Sequence, residues 1–293
     1  DKSVGKQMRI TGYTNSCSGS GSWDMYLKST PNKTSIAYIN NFCSFLDSKM
    51  RTSGKVQYSR KISYLSPKLF VTPNVLIRMG ISYIPDSSNT GNDDISQMTL
   101  HSPVSDSAYK FAIKDGISYG ITGEFSPNKS TQANLSLVGE FGKVTPYTSE
   151  LIDGVTVYRK QNISYRDLNN VTLGCTIIHD KFFLSFAYGN YNKSLTPKTQ
   201  NGSDIKGLIY SAGVRYTIDK LAFNINEFYS NYKNNRLNII TVGGEYTLVK
   251  GFKAFLQASH YQTHGKYSTT DSSDIIKDNL KGVLIISGCK LSF

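Results

Sequence analysis

One pattern constrains this chain more than any other: apolar and polar residues alternate with a period of two, segment after segment. Val75, Ile77, Met79, Ile81 and Tyr83 alternate with Arg78, Gly80 and Ser82. Successive side chains of a strand point to opposite faces, so each such segment has one greasy side and one polar side. Ile117, Tyr119, Ile121 and Phe125 oppose Ser118, Gly120, Thr122 and Glu124. Ala133, Leu135, Leu137 and Phe141 oppose Gln132, Asn134, Ser136 and Glu140. Val171, Leu173, Cys175 and Ile177 lead through His179-Asp180 to Phe182, Leu184, Phe186 and Tyr188. Leu208, Tyr210, Ala212, Val214, Tyr216 and Ile218 face away from Ser211, Gly213, Arg215 and Thr217. Segments 221–229, 237–249, 252–264 and 283–293 continue the series, which predicts about eleven or twelve strands.

The connections alternate too. Tight turns fall near 127–130, 179–181, 219–220 and 250–251, and longer polar stretches near 85–106, 143–154, 192–206 and 265–279. The break at 233–236 is intermediate in length. Short turns on one rim and long loops on the other are the pattern of an antiparallel up-and-down barrel in a membrane. Val56–Tyr64 reads as a strand in which Arg60 interrupts the apolar face, and Pro67 ends it because proline cannot donate to a ladder. Pairing within 143–168 is open between Val155–Tyr158 and Asn162–Tyr165. In the last strand Phe293, Leu291, Cys289, Ile285 and Val283 share a face, while Leu284 and Ile286 spoil the alternation.

The beginning is different. Residues 1–13 read as a first strand. Residues 14–55 hold Gly19, Gly21, the single Trp (Trp23), Pro31 and Gly54 among many Ser and Asn. A loop this long points to function or disorder. Trp23, Tyr26, Tyr38, Phe42 and Phe45 need something to pack on, so an ordered loop with a short helix near 38–45 is expected. A start at Asp1 rather than Met reads as a processed chain or a fragment.

Composition narrows the function classes. The chain has 20 Tyr and 14 Phe, so its 39% hydrophobic content does not read as disorder. No run of eighteen apolar residues occurs, which excludes a transmembrane helix and not a barrel, whose strands cross in about 9–11 residues. The net charge of +12 comes from scattered Lys and Arg rather than a clustered patch, which argues against nucleic acid. No Cys-x-x-Cys, nucleophile elbow or phosphate-binding loop is present. His260 and His264, four apart on a strand, would sit ~13 Å from each other and cannot share a metal as a helical pair does. Asp93-Asp94 and Asp271–Asp274 read as solvated loop acids rather than Ca²⁺ ligands. The expectation is a protein with no catalytic residues, no metal and no cofactor.

Several segments, taken together, resemble the Gram-negative general diffusion porin family of the sixteen-stranded proteobacterial type. They are Lys61–Pro67, Gly80–Asp86, Phe186–Gly189, Gly213–Tyr216, Gly244–Tyr246 and Gly288–Phe293, in that family's order. A final strand closed by Phe resembles the closing strand of bacterial outer-membrane barrels. The resemblance runs from about residue 55 to the end. It implies a water-filled outer-membrane channel, partnered by outer-membrane lipid and passing ions and small hydrophilic solutes. It makes 14–55 the counterpart of the family's inward-folded third loop, with Gly19–Tyr26 as its glycine-rich, Trp-containing part. Family members are trimers and carry several strands before that loop. This chain shows at most one, so either earlier strands are missing or the barrel is smaller, and a homotrimer is an open expectation. If 4–13 pairs with 283–293 the barrel closes; otherwise an open edge would expose backbone groups to lipid.

On this phase Lys61, Arg78, Glu124, Glu140, Arg215, Glu245 and Lys290 are pore-lining candidates, with basic and acidic walls setting a transverse field. Asp24, Lys28, Lys33, Asp47, Lys49 and Arg51 are constriction-loop candidates. Cys17 and Cys43, both in the loop, are read either as a bridge pinning it or as two free thiols. Cys175 and Cys289 read as small lipid-facing residues. The basic excess suggests mild anion selectivity. The rivals are a non-channel barrel that acts as an adhesin through its long loops, and a soluble β-sandwich.

Overall fold

The structure, a computed structural model, describes residues 2–12, 46, 49–52, 55–58, 60–88, 110–152, 155–162, 164–196, 198, 207–232, 235–268 and 275–291. The constriction-loop candidates Asp24, Lys28, Lys33 and Asp47, the residues Cys17 and Cys43, and the short helix expected near 38–45 lie outside the described residues.

The chain begins with a short helix, α1 (Val4–Met8), where a strand was expected. A hairpin follows, β1 (Lys49–Thr52) with β2 (Lys55–Tyr58), and holds Lys49 and Arg51 on its first strand. Then come β3 (Ile62–Leu65), β4 (Leu69–Thr72), β5 (Val75–Asp86), β6 (Lys110–Asn128), β7 (Thr131–Ile152) and β8 (Val155–Lys160). The rest are β9 (Leu168–His179), β10 (Phe182–Asn192), β11 (Gly207–Ile218), β12 (Leu221–Tyr232), β13 (Asn235–Val249), β14 (Phe252–Ser268), β15 (Ile275–Asp278) and β16 (Lys281–Leu291). From β3 onward these form one antiparallel sheet of fourteen segments in which sequence neighbours pair. Three walls are broken strands: β3 and β4 both pair with β5, β8 and β9 with β7, β15 and β16 with β14. Merging those leaves eleven wall strands, within the range read from the sequence.

The wall is that of a transmembrane up-and-down β-barrel, because its burial is inverted. Apolar residues of the outward face are exposed, as in Ile285 at 68% and Ile225 at 51%, while Ser82, Ser118, Ser211 and Ser230 on the inward face are fully buried. A soluble sandwich would bury the oily rows instead. Val75, Ile77, Leu208 and Tyr210 share the outward side of their strands and do not meet in a sealed core. Exposed aromatics lie near both ends of the strands, Phe125, Phe182 and Phe223 towards the short turns and Tyr83, Tyr119 and Phe141 towards the other end, as the girdles of a membrane barrel do.

The sheet is not closed. Among the described residues no pairing joins β16 to β3 or β4, and residues 4–8 are helical rather than a closing strand. Two further expectations change, and one feature is new. Residues 143–152 are not a loop: β7 continues through them and pairs with β8, which resolves the 143–168 ambiguity in favour of Val155–Tyr158. Val56–Tyr64 is not one strand, since β2 and β3 belong to different sheets and Arg60 lies in the break between them. A bulge at Asp115 (φ 50°), where the β6–β7 register shifts between Lys114 and Ile117, reverses the phase of β6. Below it Gly116, Ser118 and Gly120 point inward; above it Phe111 and Ile113 do, and both are buried.

Candidate functional site: the inner face

The inward residues change character along the strand axis. At the short-turn end they are charged and paired. Arg215 and Glu245 sit on β11 and β13, and Arg215 Nη2 donates to Glu245 Oε2 at 3.0 Å. Lys253 of β14 approaches the same oxygen at 3.7 Å. Glu245 is nearly buried (side chain 4% exposed), so the two cations hold its charge in a poorly solvated position. Lys290 of β16 lies directly across from Lys253. On the other side of the sheet Lys68 Nζ meets Glu124 Oε1 at 2.9 Å, and Arg78 Nε donates to the Ser66 carbonyl at 3.2 Å. Lys61 precedes β3 with the parity of Ser63, whose hydroxyl meets that of Ser82 at 2.7 Å.

At mid-height the inner face is polar and mostly uncharged. Thr241 and Ser259 share a 2.8 Å hydrogen bond, Gln257 Nε2 donates to Ser259 Oγ at 3.3 Å, and Asn226 Nδ2 to Asn224 Oδ1 at 3.3 Å. Glu140 belongs to this level. It is 1% exposed and accepts from Asn170 Nδ2 at 3.1 Å.

At the long-loop end the interior is apolar. Ile84, Phe111, Ile113, Tyr165, Leu168, Ile209, Phe228, Tyr232, Leu237 and Ile239 form one buried cluster, with Leu284 packed against it. Apart from Tyr165, which lies between β8 and β9, these members come from strands of the range β5 to β13, so the sheet must curl to bring them together. Leu46, within the stretch expected to fold inward, is fully buried in the same cluster. Phe111 and Tyr165 meet edge to face with ring centroids 5.0 Å apart.

The predicted candidates therefore divide. Arg78, Glu124, Arg215, Glu245 and Lys290 share the inner face, but the acids and bases do not form opposed walls: Glu124 and Glu245 pair with bases on their own side of the sheet. Glu140 faces inward and lies beneath the N-terminal segment, its Oε1 3.7 Å from where a Cβ on Gly5 would stand. Lys253 was missed, though strand parity alone would have marked it, since it keeps the phase of the inward Gln257; Lys68 was missed as well, and it lies between β3 and β4, where strand parity does not reach. The irregular Leu284 and Ile286 face inward, across from Ser259 and Gln257, and Leu284 packs against the edge of the apolar cluster. Cys175 and Cys289 are free thiols on the outward face. No group of three or more metal-ligating side chains occurs among the described residues.

One acid lies on the wrong side. Glu227 of β12 faces outward between Ala212 and Ile240, and Tyr210 Oη donates to its Oε1 at 3.2 Å. Tyr210 stacks on Tyr229 with centroids 5.1 Å apart.

No family model matches the chain. It is 25% identical over 323 aligned positions to an uncharacterized protein of Rickettsia conorii, covering 98% of this chain and 70% of that protein. It is 27% identical to an uncharacterized protein of Rickettsia bellii, covering 99% and 71%. Among solved structures it is similar to an anion-selective porin from Comamonas acidovorans (TM-score 0.45, 14% identity, 87% of this chain and 67% of that one). It is also similar to the outer-membrane expressed OmpT of Vibrio cholerae (TM-score 0.38, 10% identity, 74% and 79%).

Proposed function

We propose that this protein is an outer-membrane channel through which ions and small hydrophilic solutes diffuse down their gradients. The inverted wall carries the reading: a sheet with buried serines, asparagines and charged pairs on its inner face and exposed Ile, Leu and Phe outside suits a polar lumen surrounded by lipid. In lipid the edges at β3/β4 and β16 require backbone partners, so the functional form is a closed barrel. Selectivity in such a channel follows from the width and charge of its lining. Arg78, Lys68, Arg215, Lys253 and Lys290 outnumber Glu124 and Glu245 at the short-turn end, which favours mild anion preference. Purified protein in a planar bilayer should give stepwise currents, with a reversal potential in a salt gradient displaced towards the anion. Cation selectivity would refute the preference.

A second reading has its own observation. The apolar cluster from Ile84 to Ile239 fills the interior towards the long loops, as it would in a non-channel barrel that serves as an adhesin. A silent bilayer, with detergent-soluble folded protein in hand, would decide for it.

A further inference from the structure

Residues 2–12 lie across the inner face rather than in the wall. Val4 N donates to Ser82 Oγ at 2.9 Å, Gly5 N to Ser118 Oγ at 2.8 Å and Ile10 N to Ser136 Oγ at 3.1 Å, while Ser211 Oγ donates to the Gly12 carbonyl at 3.4 Å. Those serines belong to β5, β6, β7 and β11, so the segment spans more than half of the wall. The first amides of a helix lack intrahelical partners. In α1 the side chain of Ser3 does not cap them, and the wall hydroxyls take that role. Four backbone groups of the segment are thus satisfied by its seat.

Shape agrees with the hydrogen bonding. Where the segment passes, the wall residues are Gly80, Gly120 and Gly174. A Cβ on Gly174 would stand 2.6 Å from Ile10 Cβ, one on Gly80 2.9 Å from Val4 Cγ1, and one on Gly120 3.1 Å from Met8 Sδ. The fit is reciprocal at Gly12 (φ 76°), whose added Cβ would lie 2.6 Å from the Ser211 carbonyl oxygen. Ser3, Val4 and Met8 are buried as a result. This is a groove cut across at least five neighbouring strands to receive one specific piece of chain.

We propose that residues 2–12 form a strap seated in this groove and that the strap is a constriction of the channel, narrowing the lumen at mid-height in addition to whatever 14–55 contributes. The inference rests on the channel reading, and its seat can be tested without current. Two variants unseat the strap by different means: Gly174→Leu by collision with Ile10, and the triple change Ser82→Ala, Ser118→Ala, Ser136→Ala by removing its hydrogen-bond partners. Both carry Met8→Cys in a background with Cys17, Cys43, Cys175 and Cys289 replaced by Ser, and heat-modified gel mobility verifies that each is folded. A water-soluble maleimide should label Cys at position 8 slowly in the parent and at least ~10-fold faster in either variant, and conductance should rise about twofold, as expected when pore width limits flux. Equal labelling of parent and both folded variants overturns the seat. Faster labelling with unchanged single-channel conductance overturns the constriction. A bilayer silent for all three proteins, with the labelling difference intact, upholds the seated strap and overturns the channel reading.

Discussion

The two ends of the interior solve the same problem in opposite ways. Towards the short turns, Arg215, Glu245 and Lys253, and Lys68 with Glu124, face inward and neutralise one another across neighbouring strands. Towards the long loops the same inward positions hold Ile84, Ile113, Ile209, Phe228, Leu237 and Ile239, which pack as a core. One wall therefore supports both a solvated lining and a close-packed interior. The difference teaches that parity decides only whether a side chain points in; its height decides what it meets there. The strap marks the boundary between the two regimes.

Four substitutions would break or sharpen that contrast. The largest effect is expected in the apolar half: Phe228→Ala should destabilise the folded barrel by about 3–5 kcal/mol, the usual cost of removing a buried aromatic from a close-packed site. Guanidinium unfolding in detergent would show it, and a loss below about 1 kcal/mol would mean that this end is solvated rather than packed. Next comes the outer face, against which both halves of the interior are defined. Ile225 lies between Val214 and Val242 in the greasy band, so Ile225→Arg should cost about 2–4 kcal/mol in lipid vesicles. No penalty in vesicles would place that face out of the bilayer.

In the wet half, Glu245→Gln leaves Arg215 and Lys253 facing each other without their shared anion. Because both cations remain partly exposed, we expect a loss of about 1–3 kcal/mol, well short of a fully buried pair, together with a reversal potential displaced further towards the anion. The smallest effect belongs to Lys68→Ala. Its partnership with Glu124 is largely solvated, so unfolding should change by no more than about 1 kcal/mol. A larger loss would show that the short-turn end is drier than its exposure indicates.

Glu227 lies outside this scheme. Its carboxylate sits on the outward face just below Tyr229, with Tyr210 as donor. Its neighbour across the strand is Ala212, which leaves space beside the acid. The alternation of β12 is apolar on that face at Leu221, Phe223 and Ile225, so the acid is a departure that the strand pattern does not explain.

Much of the wall was legible in the sequence because the strand repeat is a local property. Two residues per period, a greasy outer face and tight turns near 179–181, 219–220 and 250–251 follow from backbone geometry and solvent preference, and each segment carries them independently. The outward rows from Val75 to Tyr83 and from Leu208 to Ile218 needed no tertiary information, nor did the inward phase of Arg78, Arg215 and Glu245. What the tertiary structure alone decided are matters of distance between segments far apart in the chain. The bulge at Asp115 redirected Phe111 and Ile113, curvature brought β5 and β13 to one apolar cluster, and register placed Glu245 between Arg215 and Lys253. Residues 2–12 are the clearest case. Taken locally they suit a strand, and only a groove assembled from Gly80, Ser82, Ser118, Gly120, Ser136, Gly174 and Ser211 makes the seated helix and strap the better place for their backbone.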